Sequence, residues 1–181
     1  SHEISPFNLI EAAYVIKNAY SNFPRGSIHI VDIDSEQTPD QSHIVIEMDE
    51  HFFICADNGI ISLISSTIKP SKIFKINIGL HSANTINNFV KVAAHLQRGG
   101  QLNVIGTEIF EIKELTELKP IIKSNNELIC NVIYIDNYGN IITNITKDFF
   151  ERFQANRSFV INARNIKFKQ ISSSYLSLIH I

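Results

Sequence analysis

The sequence predicts the α/β fold class: a layered α/β domain over residues 1–118, followed by a β-rich domain over residues 119–181. Three observations predict it. Helix-period and strand-like runs interleave as far as Lys119-Pro120. Beyond that dipeptide, the runs 127–136, 141–146 and 158–168 are mostly strand-like, broken by one short helix candidate at 147–153. Within them, Asn137-Tyr138-Gly139-Asn140 has turn chemistry, because Gly139 and the Asn residues tolerate positive φ. Leu128 to Ile135 and Ile141 to Ile145 therefore read as the arms of a β-hairpin.

Ser5 suits an N-cap and Pro6 a first helical position. Leu9, Ala12, Ala13, Ile16, Ala19 and Tyr20 follow at helical spacing, which predicts an amphipathic helix over 6–21, stopped by Phe23-Pro24-Arg25-Gly26. Strands are predicted over 28–33, 43–48 and 52–56, the last two around an Asp49-Glu50 turn. A short helix at 60–64 and a strand at 72–78 follow. Phe89, Val92, Ala93 and Leu96 predict a helix over 87–98, which Gly99-Gly100 ends.

At 181 residues the chain suits one sizeable domain or two small ones and can bury a core. With 16 Lys and Arg against 18 Asp and Glu, the net charge of −2 supplies no basic stripe for nucleic acid or an anionic membrane. No apolar run reaches the ~20 residues of a membrane helix, and no signal peptide is visible. Cys55 and Cys130 lie in separate apolar runs and read as buried free thiols, which suits a reducing, cytoplasmic location. The sequons at Asn144 and Asn156 are then chance matches. No metal-ligand spacing, phosphate-cradling glycine loop or Gly-x-Ser-x-Gly motif is present, so neither a metal nor a cofactor is expected.

The hairpin tip carries chemistry beyond a turn. Asp136, Asn140 and Asn144 put one carboxylate and two carboxamides at or beside it. Such a set can hold an amine, a ribose or a nucleobase edge; equally, it can cap its own turn.

Asp136-Asn137-Tyr138-Gly139-Asn140-Ile141-Ile142-Thr143-Asn144-Ile145 resembles the Asp-x-Phe-Gly-Asn-Leu-x-Thr-Asn-Ile segment of the S-adenosylmethionine hydroxide adenosyltransferase family, which includes fluorinases and chlorinases. Further segments resemble that family in order: Ser1 to Asn8, Phe23 to His29, Ala56 to Ile60 and Phe89 to Leu96. The resemblance implies attack on the 5′ carbon of S-adenosylmethionine with methionine as leaving group. For the hydrolytic members it implies water as nucleophile and adenosine as product. It also implies a homotrimer and a second domain that is barrel-like.

Carried over residue by residue, the resemblance makes Asp34 the catalytic acid that orients water, at the carboxyl end of the strand over 28–33. The alternative for Asp34 is a turn former. Asp136 matches the acid that pairs with the methionine ammonium, and Asn140 the residue that contacts adenine. Phe7 matches the aromatic beside the ribose or methionine, with a core or staple role as the alternative. Asn144 and Thr143 are expected to pin the hairpin, Asp57-Asn58-Gly59 to form a structural turn, and His95 to be structural.

Two family residues lack counterparts. The Arg expected near Asp40-Gln41 is absent, and Asn84 stands where a His is expected; His43 and His81 are nearby substitutes. The alternative function is therefore a catalytically lapsed protein that binds adenosine or S-adenosylmethionine. A halogenase fits less well, because the Asp34 carboxylate would repel halide. Both ends also read as cut: the family's earlier strand with a ribose-chelating acid, and its closing β structure, have no counterpart here. Both domains are expected to be partial, and the 181-residue chain alone to be marginally stable and catalytically silent.

Overall fold

A computed structural model describes residues 3–65, 68–77 and 84–171. The chain divides into two compact units, Ser1–Glu117 and Leu118–Ile181.

The first unit contains α1 (Leu9–Ala19), β1 (Ile28–Val31), β2 (His43–Met48), β3 (His51–Ala56), α2 (Ile60–Ile64), β4 (Lys72–Ile76), α3 (Thr85–Gln97), α4 (Leu102–Ile105) and β5 (Gly106–Glu108). One sheet runs in the order β1-β3-β2-β4-β5. Only β1 and β3 are parallel, with Val31 opposite Cys55; the other pairs are antiparallel. The period of two along a strand sorts side chains to opposite faces. Ile44, Ile46 and Met48 join Ala12 and Ala13 of α1 and Ile60 and Ile61 of α2. Val45, Phe74 and Ile76 meet Phe89 and Val92 of α3 and Ile105 of α4. Helices thus cover both faces, which explains why β2 and β3 are apolar almost throughout.

Several boundaries differ from expectation for local reasons. The first helix begins at Leu9 rather than at residue 6, because Asn8 is its cap: Asn8 Oδ1 accepts from Glu11 N at 3.2 Å. The buried Glu11 carboxylate in turn accepts from Asn8 Nδ2 at 3.0 Å and from Ser5 N at 3.3 Å. That polar knot keeps Ser5 and Pro6 outside the helix and turns Phe7 to φ 62°. Strand β1 stops at Val31, two residues early. Helix α3 starts at Thr85 because Asn84 Oδ1 accepts from Ile86 N and Asn87 N. The short α4 and β5 have no counterpart in the sequence pattern.

The described residues of the second unit form three antiparallel ribbons, β6 (Ile121–Ser124) with β7 (Glu127–Ile129), β8 (Val132–Ile135) with β9 (Ile141–Thr143), and β10 (Ile161–Ala163) with β11 (Ile166–Phe168). Among the described residues these ribbons remain separate two-stranded sheets rather than a closed barrel. The expected strand 127–136 breaks at Cys130-Asn131, where Asn131 N donates to Asn144 Oδ1 at 2.8 Å. Between the second and third ribbons, α5 (Lys147–Gln154) is capped by Thr146, and its Phe150 packs edge-on against Phe159. No helix of the described residues is long and apolar enough to cross a membrane.

Candidate functional site

Strand β1 feeds a loop in which Asp34 adopts φ 45°, a left-handed conformation that costs a non-glycine residue ~1–2 kcal/mol. Side chains from elsewhere hold this loop by its carbonyls. Asn58 Nδ2 donates to Ile33 O at 2.9 Å and to Asp34 O at 3.1 Å. Gln41 Nε2 donates to Asp34 O at 2.7 Å and to Glu36 O at 3.1 Å. His43 Nε2 lies 2.8 Å from Ser35 O, and a carbonyl can only accept, so that nitrogen carries the hydrogen. Ser35 Oγ closes the loop onto Asp32 Oδ1. The Asp34 residue is exposed, and its carboxylate makes no hydrogen bond or ion pair with the described residues.

Asp57-Asn58-Gly59 follows β3, so the carboxyl ends of the two parallel strands lie side by side. Each residue of the turn has its own task. Asp57 Oδ1 accepts from Lys113 N at 2.9 Å, and Asn58 clasps the Asp34 loop. Gly59 sits at φ 96°, where a Cβ would run into the Leu115 side chain. The turn is structural, as its sequence suggests, but what it structures is the Asp34 loop.

Asp136 is arranged differently. Its Oδ1 accepts from Tyr138 N at 2.9 Å and from Asn140 N at 2.7 Å; its Oδ2 accepts from Asn140 Nδ2 at 2.7 Å. Asn140 is buried, and Gly139 at φ 83° lets Gly139 N reach Asp136 O at 3.0 Å. The hairpin tip is thus a short loop with a left-handed glycine, capped by its own acid. Asn144 pins the base, accepting from Asn131 N and donating from Nδ2 to Leu118 O at 2.6 Å. Phe7, on the first unit, is 77% exposed, which removes the core and staple roles and leaves an aromatic face open to solvent. The structure brings Asp136 and Asn140 into contact; Phe7 and Asp34 belong to the other unit.

Residues 1–106 match the family model for the SAM hydroxide adenosyltransferase N-terminal domain, and residues 130–178 match that for its C-terminal domain. The chain belongs to this family. It is 32% identical over 154 residues to the (R)-S-adenosyl-L-methionine hydrolase of Methanocaldococcus jannaschii, covering 82% of this chain and 53% of the relative. The chain therefore spans about half the length of that relative. An uncharacterized conserved protein from Thermotoga maritima superposes with a TM-score of 0.76 at 25% identity, over 93% of this chain and 68% of its own. A conserved hypothetical protein from Thermus thermophilus shares the fold, with a TM-score of 0.62 at 21% identity over 80% of this chain and 57% of its own.

Against the family pattern, the substitutes for the absent Arg and His are constrained. His43 is 2% exposed, with Nε2 on a carbonyl and its ring edge-on to Phe89, so it serves the loop from inside. His81 lies outside the described residues. Asn84 is occupied as the α3 cap. Arg25 pairs with Glu50 at 2.7 Å on the surface. His95 Nε2 lies 3.1 Å from Gln101 O, beside the end of α3. Sequence reasoning missed Gln41 and the clasping role of Asn58, because nothing in their neighbours reveals partners across the loop.

The family segment Phe23 to His29 builds an aromatic cluster at the opposite ends of β1 and β3. His29 stacks on Phe53 with ring centroids 4.9 Å apart, and its Nε2 is 3.2 Å from His51 Nδ1. Burial, and then the His51 ring, lowers the His29 pKa below its ordinary value of 6.5. Burial, helped by Asp49, raises that of Tyr20, whose hydroxyl donates to Asp49 Oδ2 at 3.3 Å. Burial also raises both free thiols, Cys55 and Cys130, and so keeps them protonated. Among the described residues no group of three His, Cys, Asp or Glu side chains is placed to hold a metal ion.

Proposed function

We propose that the protein to which this chain belongs hydrolyses S-adenosylmethionine to adenosine and methionine. Water attacks the 5′ carbon, the carbon–sulfur bond breaks, and its electron pair neutralises the sulfonium to release methionine. The water releases one proton to solvent as the new 5′ hydroxyl forms, so the sulfonium's positive charge leaves as that proton. The sulfonium already activates the carbon, so the protein's task is alignment. Asp34 orients and polarises the water, Asp136 holds the methionine ammonium, Asn140 holds adenine, and Phe7 packs beside the ribose or methionine. The observation that carries this reading is the exposed Asp34 carboxylate at the carboxyl end of β1, unpaired among the described residues, within a chain of this family.

The remaining parts of the proposal have narrower support. A division into two domains near residue 118 draws support from the two compact units. Burial of Ile121, Ile122 and Ile135, exposed in the second unit, would accompany closure into a barrel and assembly as a homotrimer. Protonated free thiols fit a cytoplasmic location, and the proposed chemistry calls for no metal or cofactor.

Incubating the full-length protein with S-adenosylmethionine, each sulfonium epimer separately because the relative's name specifies R, should release adenosine above the enzyme-free background. No adenosine from either epimer removes this proposal. The burial of His43 favours a second reading, a nucleoside-binding protein without turnover. Calorimetry supports that reading if adenosine binds tightly to an inactive full-length protein.

A further inference from the structure

We propose that Asn58 and Gln41 are positioning residues for Asp34, acting as a two-carboxamide clasp that sets where its carboxylate stands. The proposal rests on the assignment of Asp34 to the attacking water. A non-glycine residue at φ 45° persists only where its surroundings over-determine it. Here the surroundings are four successive carbonyls, Ile33 to Glu36, turned toward three donors: Asn58, Gln41 and His43. Asp34 O is the one that both carboxamides reach, at 2.7 and 3.1 Å.

The orientation of Asn58 is decided at both ends of its amide. Its Oδ1 accepts from Ile60 N at 3.1 Å, so its Nδ2 must face the carbonyls; the flipped amide would set oxygen against two oxygens. Asn58 is 3% exposed, so water cannot replace it cheaply. Gln41 donates to the same carbonyl. It lies two residues before β2, in the stretch where the family pattern expects an Arg, and it supplies a neutral donor to the backbone. With the backbone oxygen of Asp34 engaged by both carboxamides, its exposed carboxylate bonds to none of the described residues and stands open to solvent and substrate.

The test uses the full-length protein and S-adenosylmethionine, with kcat and KM measured for Gln41→Ala, Asn58→Ala, Asp34→Asn and the two double variants. Misplacing the carboxylate by about an ångström should lower kcat on the order of 10-fold to 100-fold with KM little changed. In the Asp34→Asn background neither alanine should lower the rate further, because the group they position is already lost. Gln41 is only half-buried, so its variant keeps the test open if Asn58→Ala does not fold. Wild-type kcat in folded Gln41→Ala, or losses that multiply with Asp34→Asn, would overturn the clasp. Full turnover by Asp34→Asn would instead overturn the assignment of Asp34 beneath it.

Discussion

Two acidic turns invite comparison, because both carry an aspartate proposed for the site and they are built by opposite means. Asp136 is capped within four residues of itself: Tyr138 N, Asn140 N and Asn140 Nδ2 all close on its carboxylate. Asp34 is held by its backbone, through Asn58 from 24 residues away, and its carboxylate bonds to none of the described residues. The left-handed residue at the first turn is Gly139, at no steric cost; at the second it is the aspartate itself. A self-sufficient turn is stable before any ligand arrives, and a substrate ammonium at Asp136 would share oxygens that the turn already uses. A turn held from outside commits its neighbours' hydrogen bonds to presenting one charge.

Substitutions can break that contrast, and the largest effect belongs to Asp34. Asp34→Ala should lower kcat by about 10²–10⁴-fold while the melting temperature stays near wild type, since the side chain is exposed. Rate and stability falling together would mean that the carboxylate is structural. Asp136→Ala should do the reverse in stability terms. It strips three N–H donors of a charged acceptor and should cost ~1.5–3 kcal/mol in the second unit by denaturant unfolding. An unfolding free energy unchanged by that substitution would contradict the self-capped turn.

The glycine exchange sharpens the comparison further. Gly139→Ala meets no atom within 4 Å of the new Cβ, so its cost is backbone strain alone, ~1–2 kcal/mol. Asp34→Gly relieves the same strain and should stabilise the first unit by up to about 1 kcal/mol while lowering kcat as far as Asp34→Ala does. A destabilised Asp34→Gly would show that the carboxylate contributes contacts to the fold. The smallest effect concerns pH, at the far end of the same strand pair. The folded His29 has a lowered pKa, so the unfolded chain takes up the proton first as pH falls. Stability is therefore full above the ordinary value of 6.5 and declines below it until the folded ring also protonates. Melting curves from about pH 7.5 to about pH 5 should fall less steeply for His29→Gln, and an unchanged slope would clear His29 of the effect.

What could be read in the sequence follows from how local each cause is. Strand β2 and helix α2 have the limits their patterns suggest, because apolar runs between turn residues decide them. The start of α1 departs from its pattern because Ser5-Pro6 is as good a helix opening as Asn8, and only the Glu11 knot chooses between them. The Asp136 hairpin was legible because its partners lie within a few residues. The Asp34 clasp was not, because Asn58 meets Ile33 and Asp34 only after β1 and β3 pair in parallel. The exposure of Phe7 was hidden for a related reason, since its φ of 62° follows from the polar knot beside it.

In the proposed reaction, water aligned by Asp34 attacks the 5′ carbon of S-adenosylmethionine. The most direct measurement is turnover of the full-length protein in ¹⁸O-water, with the adenosine and methionine products weighed by mass spectrometry. Adenosine should carry a single ¹⁸O at its 5′ oxygen and methionine none, and labelled adenosine should be lost with Asp34→Ala. Unlabelled adenosine, or label arriving at the same rate without the Asp34 carboxylate, would contradict it.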